Sequence, residues 1–318
     1  MSADLPICAV LGSGTMGAQI ALSLALGGAK VRLWGRRQEA LEPAMSRCSD
    51  GFDFLAASGL ADTANRDDVL SAITVTDELE AAVNDAGFLI EAIAEDLEIK
   101  QALLVEAEAH TLEDAVTSST TSALSASSLQ GPLKRPERFC IAHYAQPAHL
   151  VELVEVVPGE ATDAAVTAAT RDLLTRTGKR PVECPDIPGF LWARIQHAVL
   201  REFATLVGKG LVTAEACDTI LKFGYASRLP AMGAFEHADL AGLDLITSDA
   251  AKAVWADLSN VSDPSLTPVG ALAASGKLGM KSGAGFYDWT TRNPDAFRAA
   301  RDAEIIRRVK INRGAEVK

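Results

Sequence analysis

The chain has 318 residues, 48% of them hydrophobic and 23% charged, with a formal net charge of -12 at pH 7. This length suits two domains, each with its own core, and the composition is ordinary for a globular protein. The negative net charge argues against a general nucleic-acid binder and against a binder of anionic membranes, because both require a basic surface.

The N-terminus and the cysteines predict the cellular environment. The chain starts without the basic and apolar segments of a signal peptide, and no run of about 18 apolar residues predicts a membrane helix. The cysteines are scattered and odd in number, without CxxC spacing, so they indicate neither a disulfide framework nor a metal site. We therefore expect a cytoplasmic protein. The cysteines are Cys8, Cys48, Cys140, Cys184 and Cys217.

The first motif is a glycine-rich turn between a strand and a helix. The apolar run Ile7 to Leu11 enters GSGTMG at 12–17, a helical pattern continues to Leu26, and a second strand is predicted at Val31 to Trp34. In this βαβ context GxGxxG predicts a dinucleotide site, with the phosphates at the helix N-terminus. The cofactor-binding residues predicted here are Gly12, Gly14, Thr15, Met16 and Gly17.

The end of the second strand bears on which dinucleotide binds. An NAD site normally has Asp or Glu there to bind the adenosine ribose, whereas this chain has Gly35, Arg36 and Arg37. Two guanidiniums can bind a 2′-phosphate and no carboxylate repels it, which favours NADP(H). The alternative is that the two arginines are a solvated charged pair and that NAD(H) binds through other groups.

The chain then alternates helices with short apolar strands. Helices are predicted at 39–69 (with breaks at Gly51 and Gly59), 79–84 and 97–110, and strands at 73–76, 88–93, 116–119 and 139–142. The carboxyl ends of parallel strands share one edge of a sheet, where ligands bind. The polar or glycine residues expected in this crevice are Gly12, Arg36, Glu95, Ser122 and His143.

His143 follows the apolar run Phe139 to Ala142, and a second strand is predicted at Val151 to Val157. Glu155 falls on the apolar face of that strand, where a carboxylate is costly without a cationic or hydrogen-bonding partner. His143, brought back by the turn, is the expected partner. A histidine oriented by a carboxylate is a usual general base, although a lone histidine at a strand end is more often structural.

The second half of the chain has a helical pattern. A last strand is predicted at 179–183, and CPDIPGF at 184–190, with two prolines and a glycine, predicts a domain boundary. We therefore expect an α/β domain of the Rossmann type, a doubly wound and mostly parallel sheet, at 1–187, followed by an all-helical domain at 188–318. Its helices are predicted at 191–207, 213–223, 239–255, 269–274 and 296–318.

Over nearly its whole length the chain resembles the 3-hydroxyacyl-CoA dehydrogenase family, which also includes gulonate and carnitine dehydrogenases and lens lambda-crystallin. The motifs that carry the resemblance are the GxGxxG start, EAIAEDLEIK (91–100), SSTTSALS (118–125), HYAQP (143–147), LVEVV (153–157), PGFLWARI (188–195), FEHADLAGLD (235–244) and KLGMKSGAGFYDW (277–289). The resemblance implies a Rossmann domain and a helical domain that forms a homodimer.

The resemblance also implies roles for individual residues. His143 would be the general base for the substrate hydroxyl, Glu155 would orient it, and Ser122 would bind the substrate oxygen beside the nicotinamide. Three further positions, Glu95, Lys100 and Lys281, match residues that contact the cofactor. The implied chemistry is hydride transfer between a carbinol carbon and nicotinamide.

Several positions depart from the family pattern. Gln146 replaces the Asn of the HxxNP motif, which retains an amide toward cofactor and substrate, and Ala193 replaces a substrate-contacting Asn of PGFxxNR. The segment 47–68, which supplies lysines to coenzyme A in other members, has no lysine here.

We therefore expect an NADP(H)-dependent oxidoreductase that acts on a small hydroxy or oxo compound, or an imine, without coenzyme A. Arg194, Arg201 and Arg228 fall near the domain junction and favour an anionic substrate; the alternative is that each is a structural ion-pair partner. One alternative is an NAD-dependent 3-hydroxyacyl-CoA dehydrogenase. Another, from a different class, is a crystallin-like nucleotide-binding protein with little activity, which the loss of Asn at Ala193 favours.

Overall fold

The computed structural model describes residues 4–314. The chain divides into two compact units, one formed by the residues up to Arg194 together with those from Arg301 onward, and the other by Ile195–Ala300.

The first unit is built on one eight-stranded sheet with strand order β3-β2-β1-β4-β5-β6-β7-β8. All neighbouring strands are parallel except β6 and β7, which are antiparallel. The strands are β1 (Cys8–Leu11), β2 (Val31–Trp34), β3 (Ile73–Thr76), β4 (Phe88–Glu91), β5 (Val116–Ser119), β6 (Phe139–Tyr144), β7 (Leu153–Pro158) and β8 (Arg180–Glu183). The predicted Rossmann-type architecture is confirmed.

Helices connect these strands and cover both faces of the sheet. They are α1 (Thr15–Leu26), α2 (Leu41–Ala57), α3 (Arg66–Ser71), α4 (Leu79–Val83), α5 (Leu97–Glu108), α6 (Ala126–Gln130) and α7 (Ala164–Arg176). Because successive strand residues face opposite sides, Val10 packs in one buried apolar cluster while Ala9 and Leu11 pack in another. The central strands are therefore apolar throughout, as in other parallel sheets covered on both faces.

The rest of the chain is helical, as predicted. Its helices are α8 (Trp192–Gly208), α9 (Ala214–Ile220), α10 (Ala234–Ala241), α11 (Leu243–Ile246), α12 (Asp249–Asp257), α13 (Pro268–Ala274) and α14 (Pro294–Asn312). No helix within residues 4–314 has the length and apolar character needed to cross a membrane.

Several predicted boundaries were wrong. The single helix predicted at 239–255 is three helices, because Gly242 adopts φ +96° after α10 and the Ser248 side chain caps the start of α12. Gly51 does not break α2, which ends only before Gly59, a residue with φ +67°. Strand β6 continues through His143 to Tyr144, so His143 lies within the strand and not beyond its end.

The glycine-rich turn has the geometry that its motif predicts. Gly12 adopts φ +134°, and a Cβ there would lie 2.4 Å from the carbonyl oxygen of Ala92. A Cβ at Gly17 would lie 1.7 Å from the carbonyl oxygen of Gly12. There is no room for a side chain at either position, and the two glycines therefore allow β1 to turn tightly into α1.

Candidate active site

The antiparallel pairing of β6 with β7 places His143 directly opposite Glu155. Side chains of such a pair lie on the same face of the sheet and within reach of each other. His143 Nδ1 lies 2.8 Å from Glu155 Oε2, and the two residues are only 9% and 2% exposed. The contact predicted between these two side chains is present, held by strand register and not by a loop.

The second carboxylate oxygen of Glu155 binds the start of α8. Glu155 Oε1 accepts the backbone N–H groups of Leu191 and Trp192, each at 2.8 Å. Burial raises the pKa of Glu155, but the hydrogen bonds from His143 and from these two amides outweigh it, so the pKa lies below its usual value. Glu155 is therefore a carboxylate at neutral pH, and it links the histidine to the first residues of α8.

Phe190 packs beside the histidine in an unusual backbone conformation. Its ring centroid is 5.7 Å from that of His143, at an interplanar angle of 59°. Phe190 is buried and has φ +45°, in the left-handed region that bulky residues avoid. Such strain persists only where the surroundings impose it, and it concentrates at functional sites.

The N-terminus of α1 is free to bind an anion. A Cβ built at Gly14 meets no atom within 4 Å, so the backbone there faces open space. Thr15 is exposed as well, and neither a side-chain cap nor an acidic residue occupies the first turn. Unpaired N–H groups and the positive end of the helix dipole fit a pyrophosphate at this position.

Three arginines lie on the two elements that contact Ser13 of the glycine-rich turn, namely the end of β2 and helix α2. Arg36 and Arg37 are exposed after β2, and Arg37 is 3.6 Å from Glu39 in an exposed pair. A Cβ at Gly35 would lie 2.4 Å from Ser13 Oγ, so the strand end adjoins the glycine-rich turn. Sequence reasoning missed the third, Arg47 of α2, whose Nη2 donates to the Ser13 carbonyl at 2.6 Å.

Glu95 holds the loop that carries Ser122. Its Oε1 accepts the Thr121 hydroxyl at 2.5 Å and the backbone N–H groups of Ser122 and Ala123 at 3.1 and 3.3 Å. Burial raises the pKa of Glu95, but the Thr121 hydroxyl and the charge of Lys100 outweigh it, so the pKa lies below its usual value. The Ser122 side chain is exposed.

Lys100, which the resemblance gave as a cofactor contact, is 1% exposed and lies behind Glu95. Its Nζ donates to Glu91 Oε1 and Oε2 at 2.7 and 2.9 Å and lies 3.3 Å from Glu95 Oε2. Its ammonium therefore binds carboxylates of the protein and not the open crevice. The sequence reasoning missed Glu91 and its other partner, Ser119; the available signal was a glutamate ending an otherwise apolar strand.

The remaining predicted residues fall in different places. Gln146 is exposed in the loop after β6, and that loop is held to α1 by a 2.9 Å hydrogen bond from the Ala148 N–H to Gln19 Oε1. Ala193 lies in the first turn of α8, one residue beyond the amide that binds Glu155. Lys281 is exposed within the second unit. The functional roles of these three residues stay predictions.

Comparison with known protein families gives two matches along the chain. The NAD binding domain of 3-hydroxyacyl-CoA dehydrogenase matches residues 7–187, and the C-terminal domain of 3-hydroxyacyl-CoA dehydrogenase matches residues 189–289. The chain belongs to the 3-hydroxyacyl-CoA dehydrogenase family. The resemblance seen in the sequence motifs is thereby confirmed.

Individual members of the family differ in what they act on. The 5-formyl-3-hydroxy-2-methylpyridine 4-carboxylate 5-dehydrogenase of Mesorhizobium japonicum is 32% identical over 97% of this chain and 98% of its own length. The fatty acid oxidation complex subunit alpha of Pseudomonas entomophila is also 32% identical, but this chain covers only 42% of its length.

A solved member of the 3-hydroxyacyl-CoA dehydrogenase family has nearly the same fold. It is a 5-formyl-3-hydroxy-2-methylpyridine 4-carboxylic acid 5-dehydrogenase described as an NAD+ dependent dismutase, with a TM-score of 0.89 and 31% identity over 98% of this chain and all of the other. Family membership makes this chain a nicotinamide-dependent dehydrogenase acting on hydroxyl groups.

Proposed function

We propose that this enzyme transfers hydride between a nicotinamide dinucleotide, with NADP(H) preferred, and a small hydroxy, oxo or imine compound that lacks coenzyme A. The observation that carries the proposal is the buried 2.8 Å contact between His143 Nδ1 and Glu155 Oε2. A histidine oriented by a buried carboxylate is a usual construction of a general base.

The pairing determines which ring nitrogen acts. If His143 Nδ1 donates its proton to the charged Glu155, then Nε2 carries a lone pair and can accept the substrate hydroxyl proton. The carboxylate stabilises the imidazolium that results, and the same imidazolium returns the proton in the reverse direction. The bound nicotinamide supplies the hydride acceptor or donor. Ser122, exposed beside Glu95, is the proposed donor to the substrate oxygen.

The residues proposed to bind the dinucleotide lie along the glycine-rich turn. Gly14 and the free N-terminus of α1 fit the pyrophosphate. Arg36 and Arg37 support NADP(H), because two exposed guanidiniums follow β2 where NAD sites normally carry a carboxylate. NAD(H) is the alternative, and the solved relative described as NAD+ dependent favours it.

Calorimetric titration with NADPH and with NADH separates these two cofactors. We expect NADPH to bind more tightly, and Arg36→Ala combined with Arg37→Ala to weaken NADPH about 10- to 100-fold, the loss of one or two charge-assisted hydrogen bonds. NADH affinity should not change. Arg66→Ala is the matched control, because Arg66 is paired with Asp53 at 2.7 Å. Equal affinity for the two nucleotides would rule out the NADP(H) preference.

Two features support a substrate without coenzyme A. The segment 47–68 contains no lysine, and its arginines are engaged: Arg47 with the Ser13 carbonyl, and Arg66 with Asp53 and Ser49. Ala193 provides no side-chain hydrogen bond where the family Asn contacts substrate. The relative from Mesorhizobium japonicum is named for a small pyridine carboxylate, which also favours this class.

The substrate proposal is tested by steady-state rates on a defined panel. The panel contains acetoacetyl-CoA, acetoacetate, a cyclic imine and 5-formyl-3-hydroxy-2-methylpyridine 4-carboxylate, each with NADPH and NADH. We expect turnover of a compound without coenzyme A at a kcat/KM above that of acetoacetyl-CoA. The reverse order would establish the coenzyme A alternative, and no turnover of any member would favour the crystallin-like alternative.

We further propose that the helical region, taken as 188–318, forms a homodimer. Several large apolar side chains within Ile195–Ala300 are strongly exposed, and a dimer interface would remove them from water. They include Phe223 at 80%, Phe235 at 88%, Leu240 at 75% and Trp255 at 72%. Sedimentation equilibrium should give twice the 33.5 kDa chain mass.

A further inference from the structure

The first unit contains a deeply buried charged pair, Glu91 and Lys100, that takes no part in the proposed chemistry. Glu91 ends β4 and is 0% exposed, and Lys100 on α5 is 1% exposed. Glu91 also accepts the Ser119 hydroxyl and the Ile93 N–H, each at 2.6 Å. Every oxygen of this carboxylate is thus bound, which buried charges require.

This pair connects to the surface through one residue. Lys100 Nζ lies 3.3 Å from Glu95 Oε2, and the Glu95 side chain is 40% exposed. The other oxygen of Glu95 binds Thr121, Ser122 and Ala123. Because the ammonium is fixed by Glu91 on one side, it fixes Glu95 on the other, and Glu95 in turn fixes the backbone that carries Ser122.

We infer that the buried Glu91–Lys100 pair positions Ser122 through Glu95, so that all three charged residues are positioning residues for the substrate-binding serine. The inference rests on the proposed function, in which Ser122 binds the substrate oxygen. This role also explains why three charged groups lie together. The ammonium of Lys100 lets Glu95 keep its negative charge beside Glu91, and a charged Glu95 is a strong acceptor for the loop amides.

Hydrogen–deuterium exchange of the free enzyme tests the positioning without any substrate. Glu91→Gln and Lys100→Met should each speed exchange of the Ser122 and Ala123 amides by about tenfold, which corresponds to loss of roughly one hydrogen bond. If a single substitution prevents folding by leaving one charge unpaired, the double variant Glu91→Gln, Lys100→Met removes both charges together.

The matched control is Glu108→Gln. Glu108 is a buried glutamate of the same helix α5, but its carboxylate accepts the N–H groups of Lys134 and Arg135 at 2.7 and 2.8 Å. This variant should lose stability like the others while exchange at Ser122 and Ala123 stays at the wild-type rate.

Kinetics supply the second readout. On the panel compound that the wild-type enzyme turns over, Glu95→Gln and the double variant should each lower kcat/KM about tenfold. The double variant, whose two residues are buried away from the open crevice, should keep the wild-type dinucleotide affinity. Unchanged exchange and unchanged kcat/KM in these variants would overturn the inference and leave the pair a purely structural one. A wild-type enzyme that turns over no panel compound would refute the proposed function instead, while the exchange data would still decide the positioning.

Discussion

Two glutamates of the same sheet, Glu155 on β7 and Glu91 on β4, are both nearly inaccessible, yet their partners differ. Glu155 shares one oxygen with the imidazole of His143 and the other with two amides at the start of α8. Glu91 directs both oxygens to an ammonium. An imidazole can gain and lose a proton near neutral pH, so the first pair suits proton transfer and the second suits fixed positioning.

Glu155→Gln breaks the first pair with the largest expected effect. The amide oxygen can still accept the N–H groups of Leu191 and Trp192, but the amide nitrogen then donates to His143 Nδ1 and forces the proton onto Nε2. The base would carry the wrong tautomer, so we expect kcat to fall about 10²- to 10⁴-fold. Steady-state rates check this, and circular dichroism confirms the fold. A loss below threefold would show that the carboxylate does not orient the base.

Phe190→Leu sharpens the contrast, because the ring of Phe190 packs beside the imidazole of His143. Leucine keeps most of the burial but removes the flat surface that restrains the imidazole. We expect kcat to fall about three- to tenfold, since small misplacement of a catalytic group is costly. Phe139→Leu, at the start of β6 and equally buried, is the control and should lower the melting temperature without lowering kcat. Equal kcat values for the two variants would contradict this role.

Lys179→Met has the smallest expected effect on the reaction and concerns a buried lysine whose ammonium binds backbone carbonyls. Its Nζ donates to the carbonyls of Ala148 and Val151 at 2.5 and 2.9 Å. Burial, with a contribution from Arg313, lowers the pKa of Lys179 to about 7. An unfolded lysine titrates near 10.4, so between these values the unfolded chain holds a proton that the folded chain has released.

The free energy of unfolding therefore rises with pH across that window, by at most about 1.4 kcal/mol per pH unit. Lys179→Met should remove this rise, whereas Lys30→Met, at an exposed lysine, should retain it. Urea unfolding at pH 7, 8 and 9 measures both variants. An identical pH dependence in wild type and Lys179→Met would contradict the lowered pKa.

The fold could be predicted from the sequence because its signals are local. The glycine spacing at Gly12 and Gly17, the apolar strands and the helical second half each depend on near neighbours. The single helix predicted at 239–255 was wrong because apolar spacing alone does not reveal that Gly242 adopts a positive φ.

The site was predictable only in part. The pairing of His143 with Glu155 could be predicted, because strand alternation placed a carboxylate on an apolar face with one imidazole in reach. The contacts that join Glu91, Lys100 and Glu95 could not be predicted. They connect a strand end, a helix and the loop after β5 through side chains whose spacing follows no regular pattern in the sequence. Neither the strain at Phe190 nor the position of Arg47 leaves a sequence signal.

The most direct test of the central claim is the rate of hydride transfer in a single turnover, measured by nicotinamide absorbance in wild type and in His143→Ala. Dinucleotide affinity is measured on the same preparations. With His143 as the base, the rate should fall at least about 10²-fold while the affinity stays within twofold of wild type. A His143→Ala enzyme that transfers hydride at close to the wild-type rate would contradict the account.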